Sequence, residues 1–271
     1  CHGAHEILKH DDPRSSVFPL NVPRTCGRCH GDAALMRGYG LTDNPLADFT
    51  AGVHGEALMT RRDASAPECA HCHGAHGAAP PGVGDVDKVC GQCHVSARAN
   101  FLEGPHKDAM RKAGLPECAS CHSNHRILKT DVSMLDTVCS TCHEASSPPV
   151  MLGHQMKTLY TGARDEIDKA GRLMEQAAAV PLYMEDYQAR LEEARTSLVE
   201  VLPAMHALDL ARVDRLTHRA RSIGSEIESE VHGKLEARKW RRLGLGVFWF
   251  YLILTLALLL RQRQRSGTGV A

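Results

Sequence analysis

Large apolar side chains are scarce in the first half of this chain. Aromatic residues make up only 4% of its 271 residues. Residues 1–150 contain few large aliphatic side chains and are rich in Gly, Pro, His and Cys. A segment of that composition lacks the material for an ordinary hydrophobic core. Charge of one sign is also missing in excess: 32 basic residues balance 32 acidic ones. No nucleic-acid partner is expected. Residues 155–240 are poor in Gly and contain no Cys. The chain begins at Cys1, without an initiator Met or a signal peptide, so a fragment or a processed chain is expected.

Cysteine is abundant, and its placement is ordered. Of the 11 Cys, ten fall in five C-x-x-C-H runs. These are Cys26–Cys29–His30, Cys69–Cys72–His73, Cys90–Cys93–His94, Cys118–Cys121–His122 and Cys139–Cys142–His143. The eleventh, Cys1, is followed by His2, which matches the second half of a sixth run. No Cys remains for a disulfide framework. C-x-x-C alone also serves zinc sites and redox dithiols. Five repeats, each with His directly after, point instead to attachment of c-type haem. In that chemistry both thiols bond to the porphyrin edge and the adjacent His ligates the iron. Six haem c groups are expected, the first on the truncated motif. Their bulk would supply the missing apolar core, and their propionates would make the formal charge of +0 more negative.

The motif region repeats. "PECAHCHGAHGAAPPGVGDVDKVCGQCH" (67–94) and "PECASCHSNHRILKTDVSMLDTVCSTCH" (116–143) align without a gap at an offset of 49. Each unit carries two motifs. Residues 1–30 form a looser copy, in which "HEILK" at 5–9 matches "HRILK" at 125–129. Three two-haem modules are therefore expected over 1–150, the first truncated.

The chain has 17 His. Six follow the motif cysteines and are the expected proximal ligands: His2, His30, His73, His94, His122 and His143. Six more recur with the modules and are the candidate distal ligands. His5, His76 and His125 each stand three residues after a proximal His. His54, His106 and His154 lie between modules or after the last one. Six proximal and six distal positions would make every iron bis-His. A His three residues from its proximal neighbour cannot cross the porphyrin to the same iron, so His5, His76 and His125 are expected to ligate a neighbouring haem. The second set is expected to look backwards: His54 to the haem of His30, His106 to that of His94, His154 to that of His143. His10, His71, His206, His218 and His232 have no repeat partner and are expected to be exposed, with His206 the one least tied to that reading. Met59 and Met110 are read as packing residues.

Beyond the motifs, apolar residues recur at spacings of three and four in three runs. They are Ile167–Val180, Tyr183–Val201 and Val213–Leu235, with breaks expected at Pro181 and Pro203. A three-helix antiparallel bundle or spacer over 151–240 is the simple reading, and a longer coiled coil the alternative. Leu243 to Leu260 is an uncharged stretch of 18 residues. At 1.5 Å per residue it reaches about 27 Å as a helix, enough to span a bilayer. Basic clusters "RKWRR" and "RQRQR" flank it, with Trp240, Trp249 and Tyr251 suited to an interface. Covalent haem is attached outside the bacterial inner membrane. The expected arrangement is thus a single pass, with the haem domain on the periplasmic side and a cytoplasmic tail at 261–271. The fold class expected is mainly α with much irregular loop.

Through residues 1–154, these motifs make the chain resemble the multihaem c-type cytochromes of the doubled C-x-x-C-H kind. The resemblance implies closely stacked haems, mostly bis-His iron and periplasmic electron transfer in respiratory bacteria. Redox protein partners are expected, and the anchor alone motivates a quinone-linked membrane subunit among them. The anchor also resembles that of small quinol-dehydrogenase cytochromes, which usually carry it at the N-terminus. Its C-terminal position here counts against direct quinol oxidation by this chain. Two other functions set different demands on the sequence. A multihaem reductase of nitrite, hydroxylamine or sulfur oxyanions needs one open iron. A haem sensor needs an output domain longer than the short tail. The expectation is an electron carrier with no catalytic residue.

Overall fold

The computed structural model describes residues 1–41, 44–76, 89–178 and 184–267, with the side chains of 264–267 left undescribed. Of the expected helix stripes, Val180 and Tyr183, with the break at Pro181, lie outside the described residues. Among the described residues the chain is helical or irregular, with no strand. It divides into two compact units. The first is residues 1–158 with 201–214, and the second is residues 159–200 with 215–271. The first unit thus takes in residues 201–214, a stretch that the sequence reading assigns to the bundle.

The first unit is built of short helices: α1 (Val22–His30), α2 (Ala33–Gly38), α3 (Pro45–Ala51), α4 (Val53–Gly55), α5 (Cys69–His73), α6 (Val95–Glu103), α7 (His106–Ala113) and α8 (Ala119–His122). Local chemistry sets their limits. Asp32 accepts hydrogen bonds from the N–H groups of Ala34 and Leu35, which starts α2. Asn44 does the same for α3 through Ala47, ahead of Pro45. Gly114 ends α7 in the left-handed conformation. One buried apolar cluster here is small, Ala57, Leu58 and Ala66 with Leu20, Phe49 and Met59 packed against it, and Val150, Met156, Val201 and Val213 are buried elsewhere in the unit. That is what the composition dictates for a segment so poor in large aliphatic residues.

The second unit is built round one larger buried cluster. Three long helices supply it: α9 (Pro148–Ala178), α10 (Glu185–Ala204) and α11 (Leu210–Gly267). Ala163, Ile167, Ala170, Met174 and Ala177 of α9 meet Tyr187, Leu191, Ala194 and Leu198 of α10 and Ala220, Ile227 and Val231 of α11. These are largely the apolar stripes read from the sequence. Ion pairs Arg190–Glu226 (2.8 Å), Arg219–Glu193 (2.8 Å) and Lys169–Glu228 (2.8 Å) tie the outer faces. Each is exposed and worth little singly.

The break expected at Pro203 is found there: α10 ends at Ala204, one residue on. Pro203 sits in the last turn of α10, and the chain turns through a 3-10 turn, Met205–Ala207, and a left-handed Leu208 (φ 55°). Proline lacks the amide that would bond the carbonyl four residues back, which helps end the helix here. Helix α11 then continues without interruption into the apolar run. An 18-residue window within it has a mean hydropathy of 2.4 and none of it is buried. This is the one helix among the described residues that is long and apolar enough to cross a membrane.

Candidate functional site

Each C-x-x-C-H run folds as about one helical turn. The cysteines and His at positions i, i+3 and i+4 therefore share a face. Helix α1 carries Cys26, Cys29 and His30 at its C-terminal end, and α5 is the Cys69–His73 run itself. Cys118 caps α8, while 3-10 turns open at Cys90 and Cys139. In three runs the His N–H donates to the carbonyl of the first Cys: His94 to Cys90 (2.9 Å), His122 to Cys118 (3.0 Å) and His143 to Cys139 (3.0 Å).

Successive motifs lie beside one another. The thiols of Cys26 and Cys69 lie beside each other, as do those of Cys90 and Cys118. Cys72 lies near Cys90 and Cys93, and Cys121 near Cys139 and Cys142. Each motif from Cys26 onward is thus the neighbour of the next. Burial pushes the Cys69 thiol up to about 12, assisted by Cys26. The neighbouring Cys90 thiol, followed by burial, raises Cys118.

Five histidine pairs share one geometry. His2 faces His76 with ring centres 5.9 Å apart and planes inclined by 27°. The others are His73 with His125 (5.9 Å, 29°), His54 with His94 (6.3 Å, 34°), His106 with His143 (6.1 Å, 31°) and His122 with His206 (6.1 Å, 28°). Every pair contains one motif His and one His from elsewhere. Burial lowers the pKa of His54, His73, His106 and His122, and the facing ring of each pair lowers it further. Those rings are thereby held neutral, with a lone pair to offer.

Close backbone contacts position the rings. A Cβ on Gly52 would lie 2.9 Å from the His125 carbonyl oxygen, and the N–H of Val53 donates to the Ile127 carbonyl (2.7 Å). His54 and His125 are therefore placed by one contact between their flanking segments. Gly104, at the end of α6, would bring a Cβ to 3.0 Å from the carbonyl oxygens of His206 and Ala207. Arg212 pairs with Glu103 beside it (2.7 Å). The Nδ1 of His206 lies 3.2 Å from the carbonyl oxygens of Leu202 and Pro203. Carbonyls only accept, so Nδ1 carries the proton and Nε2 keeps its lone pair.

Of the six residues read as distal ligands, four stand opposite a motif His: His54, His76, His106 and His125. His76 and His125 face the motif of a neighbouring module, as their spacing requires. His54 and His106 face His94 and His143, not the expected His30 and His94. His5 and His154 face no motif His in this way among the described residues. His206, read as exposed, takes the place opposite His122. No repeat marks it, since it comes from the turn between two bundle helices. His30 has no ring opposite it among the described residues. His71 lies 2.7 Å from Glu68, and Glu68 also caps α5 through Ala70. Among the described residues no three His, Cys, Asp or Glu side chains converge to cage a metal ion.

Compared with family models, curated proteins and solved structures, the chain matches none.

Proposed function

We propose that this chain is a membrane-anchored multihaem c-type cytochrome that relays electrons through bis-His haems. The observation that carries the reading is the fivefold recurrence of one histidine pair at 5.9–6.3 Å, each with a motif His. Two metal–imidazole bonds of about 2 Å, with the ring-nitrogen-to-centre distance on either side, add up to about 6 Å. Two rings supply only two ligands, so a metal held between them would have to bring its others with it. A porphyrin does so, and the two thiols within the turn that ends at the His of each complete motif suit its covalent attachment.

His2, His73, His94, His122 and His143 would hold iron on one side, and His76, His125, His54, His206 and His106, in that order, on the other. His30 would hold a sixth. When bound, haem supplies a one-electron couple at iron. The neutral imidazoles would keep the same ligand set in both oxidation states, so little rearrangement opposes transfer. The carbonyls of Leu202 and Pro203 fix the tautomer and orientation of His206. Motif-to-motif adjacency from Cys26 to Cys142 supports a continuous row of sites. The apolar part of α11 would anchor the row at the bacterial inner membrane, with the motifs on the periplasmic side. Donor and acceptor would be a membrane partner, quinone-linked, and periplasmic or extracellular redox proteins.

Denaturing mass spectrometry with a pyridine haemochrome assay tests this. The expected result is one covalent haem on each of the five complete motifs and one more on Cys1. Absence of covalent haem, or stoichiometric zinc in its place, would overturn the proposal.

A further inference from the structure

We propose that Arg98 makes the haems on Cys90–His94 and Cys118–His122 easier to reduce than those on Cys26–His30 and Cys69–His73, so that an electron passing from the first pair to the second moves downhill. This deepens the haem reading above and rests on it. The two motif junctions are built alike. Cys26 lies beside Cys69 at the first, and Cys90 beside Cys118 at the second. A mostly buried glutamate directly precedes the later motif in each: Glu68, its side chain 7% exposed, and Glu117, 18% exposed. One side chain packs over the glycine of the earlier motif: Leu46 over Gly27, and Arg98 over Gly91. A Cβ on either glycine would collide with it. Leu46 and Arg98 are also counterparts in sequence, since Ala47, Phe49, Gly52 and His54 recur as Ala99, Phe101, Gly104 and His106.

The counterparts differ in charge. Nη2 of Arg98 lies 3.3 Å from Oε2 of Glu117 and balances that carboxylate. Leu46 brings nothing to balance Glu68. Glu68 accepts from the N–H of Ala70 (2.6 Å) and lies 2.7 Å from Nδ1 of His71, an imidazole and not a permanent cation. The guanidinium of Arg98 stays charged at every working pH. Arg24 and Arg28, on the helix of the first motif, are exposed, where solvent and salt screen them. Ferric haem carries one positive charge more than ferrous haem. A nearby carboxylate therefore favours the ferric state and lowers the potential, and a guanidinium does the reverse. Both act at the turns whose thiols would hold the porphyrin edges. Burial limits the screening that would erase their effect.

A potentiometric titration of the haem-loaded chain, followed by optical absorption at pH 8, tests this. That pH lies above the ordinary histidine value of about 6.5. Arg98→Gln should move two haems at the high-potential end of the curve downwards. Glu68→Gln should move two haems at the low-potential end upwards. The Arg98→Gln, Glu117→Gln double variant should return the curve toward that of the unaltered chain, because the net charge of the junction is restored. A double variant as displaced as the single one would overturn the inference, since Arg98 would then act through packing alone. An unmoved curve for Arg98→Gln, or movement at the low-potential end instead, would also overturn it. If the Arg98 variants fail to take up haem, Glu68→Gln decides: a low-potential end that stays in place would overturn the inference. Absence of covalent haem from the unaltered chain would defeat the haem reading itself, and is seen in the pyridine haemochrome count before any titration.

Discussion

His206 separates the structure's pairing from the one that sequence repeats suggest. If it ligates the iron of His122, His206→Ala should convert one haem per chain to high spin and open it to carbon monoxide. His154→Ala should leave the spectrum unchanged, although His154 belongs to the repeating set. Electron paramagnetic resonance of the two variants checks both. The lowered pKa of His54, His73, His106 and His122 also has a sign. The unfolded chain takes up protons near the ordinary histidine value of about 6.5, and the folded rings only at lower pH. Unfolded histidines thus bind more protons than folded ones across that window, and stability falls as pH drops below about 6.5. Above it these four rings contribute no pH dependence. Denaturant midpoints followed between pH 8 and 5 should be flat at first and then decline. At this scale the motif histidines were legible because chemistry ties them to adjacent cysteines. The pairings were not, because a spacing of three excludes one iron without naming another. His206 carried no repeat signal at all.

Among the elements, the helices of the second unit were the most legible part of the fold. Their stripes bury Ile167, Leu191 and Ile227 because a spacing of three and four puts them on one face. Ile227 is fully buried, and Ile227→Ala should cost roughly 2–5 kcal/mol, read from thermal or denaturant unfolding in detergent. The break at Pro203 was legible too: its missing amide leaves the carbonyl four residues back without a helix partner, and α10 ends one residue on. Contacts such as that of Gly104 with the His206 segment were hidden, because they join residues about a hundred positions apart. Gly104→Val should displace His206 and raise the high-spin fraction. Gly38→Ala, where a Cβ meets nothing within 4 Å, should not. Optical spectra of the two variants make the comparison.

Over the whole molecule, composition divides the labour. The first unit holds all the thiols and most of the imidazoles. The second has a core of its own and one exposed apolar run. A chain that stops before Leu243 should leave the membrane fraction and keep its absorption spectrum, whereas the full chain should need detergent. Retention of the shortened chain in washed membranes would show a second means of attachment.

The most direct test of bis-His iron is low-temperature electron paramagnetic resonance of the oxidised, haem-loaded protein, quantified against its haem count. The predicted result is low-spin iron at the five sites where two rings stand 5.9–6.3 Å apart. High-spin iron at most of the haems would contradict it, since the facing histidines would then not be ligands.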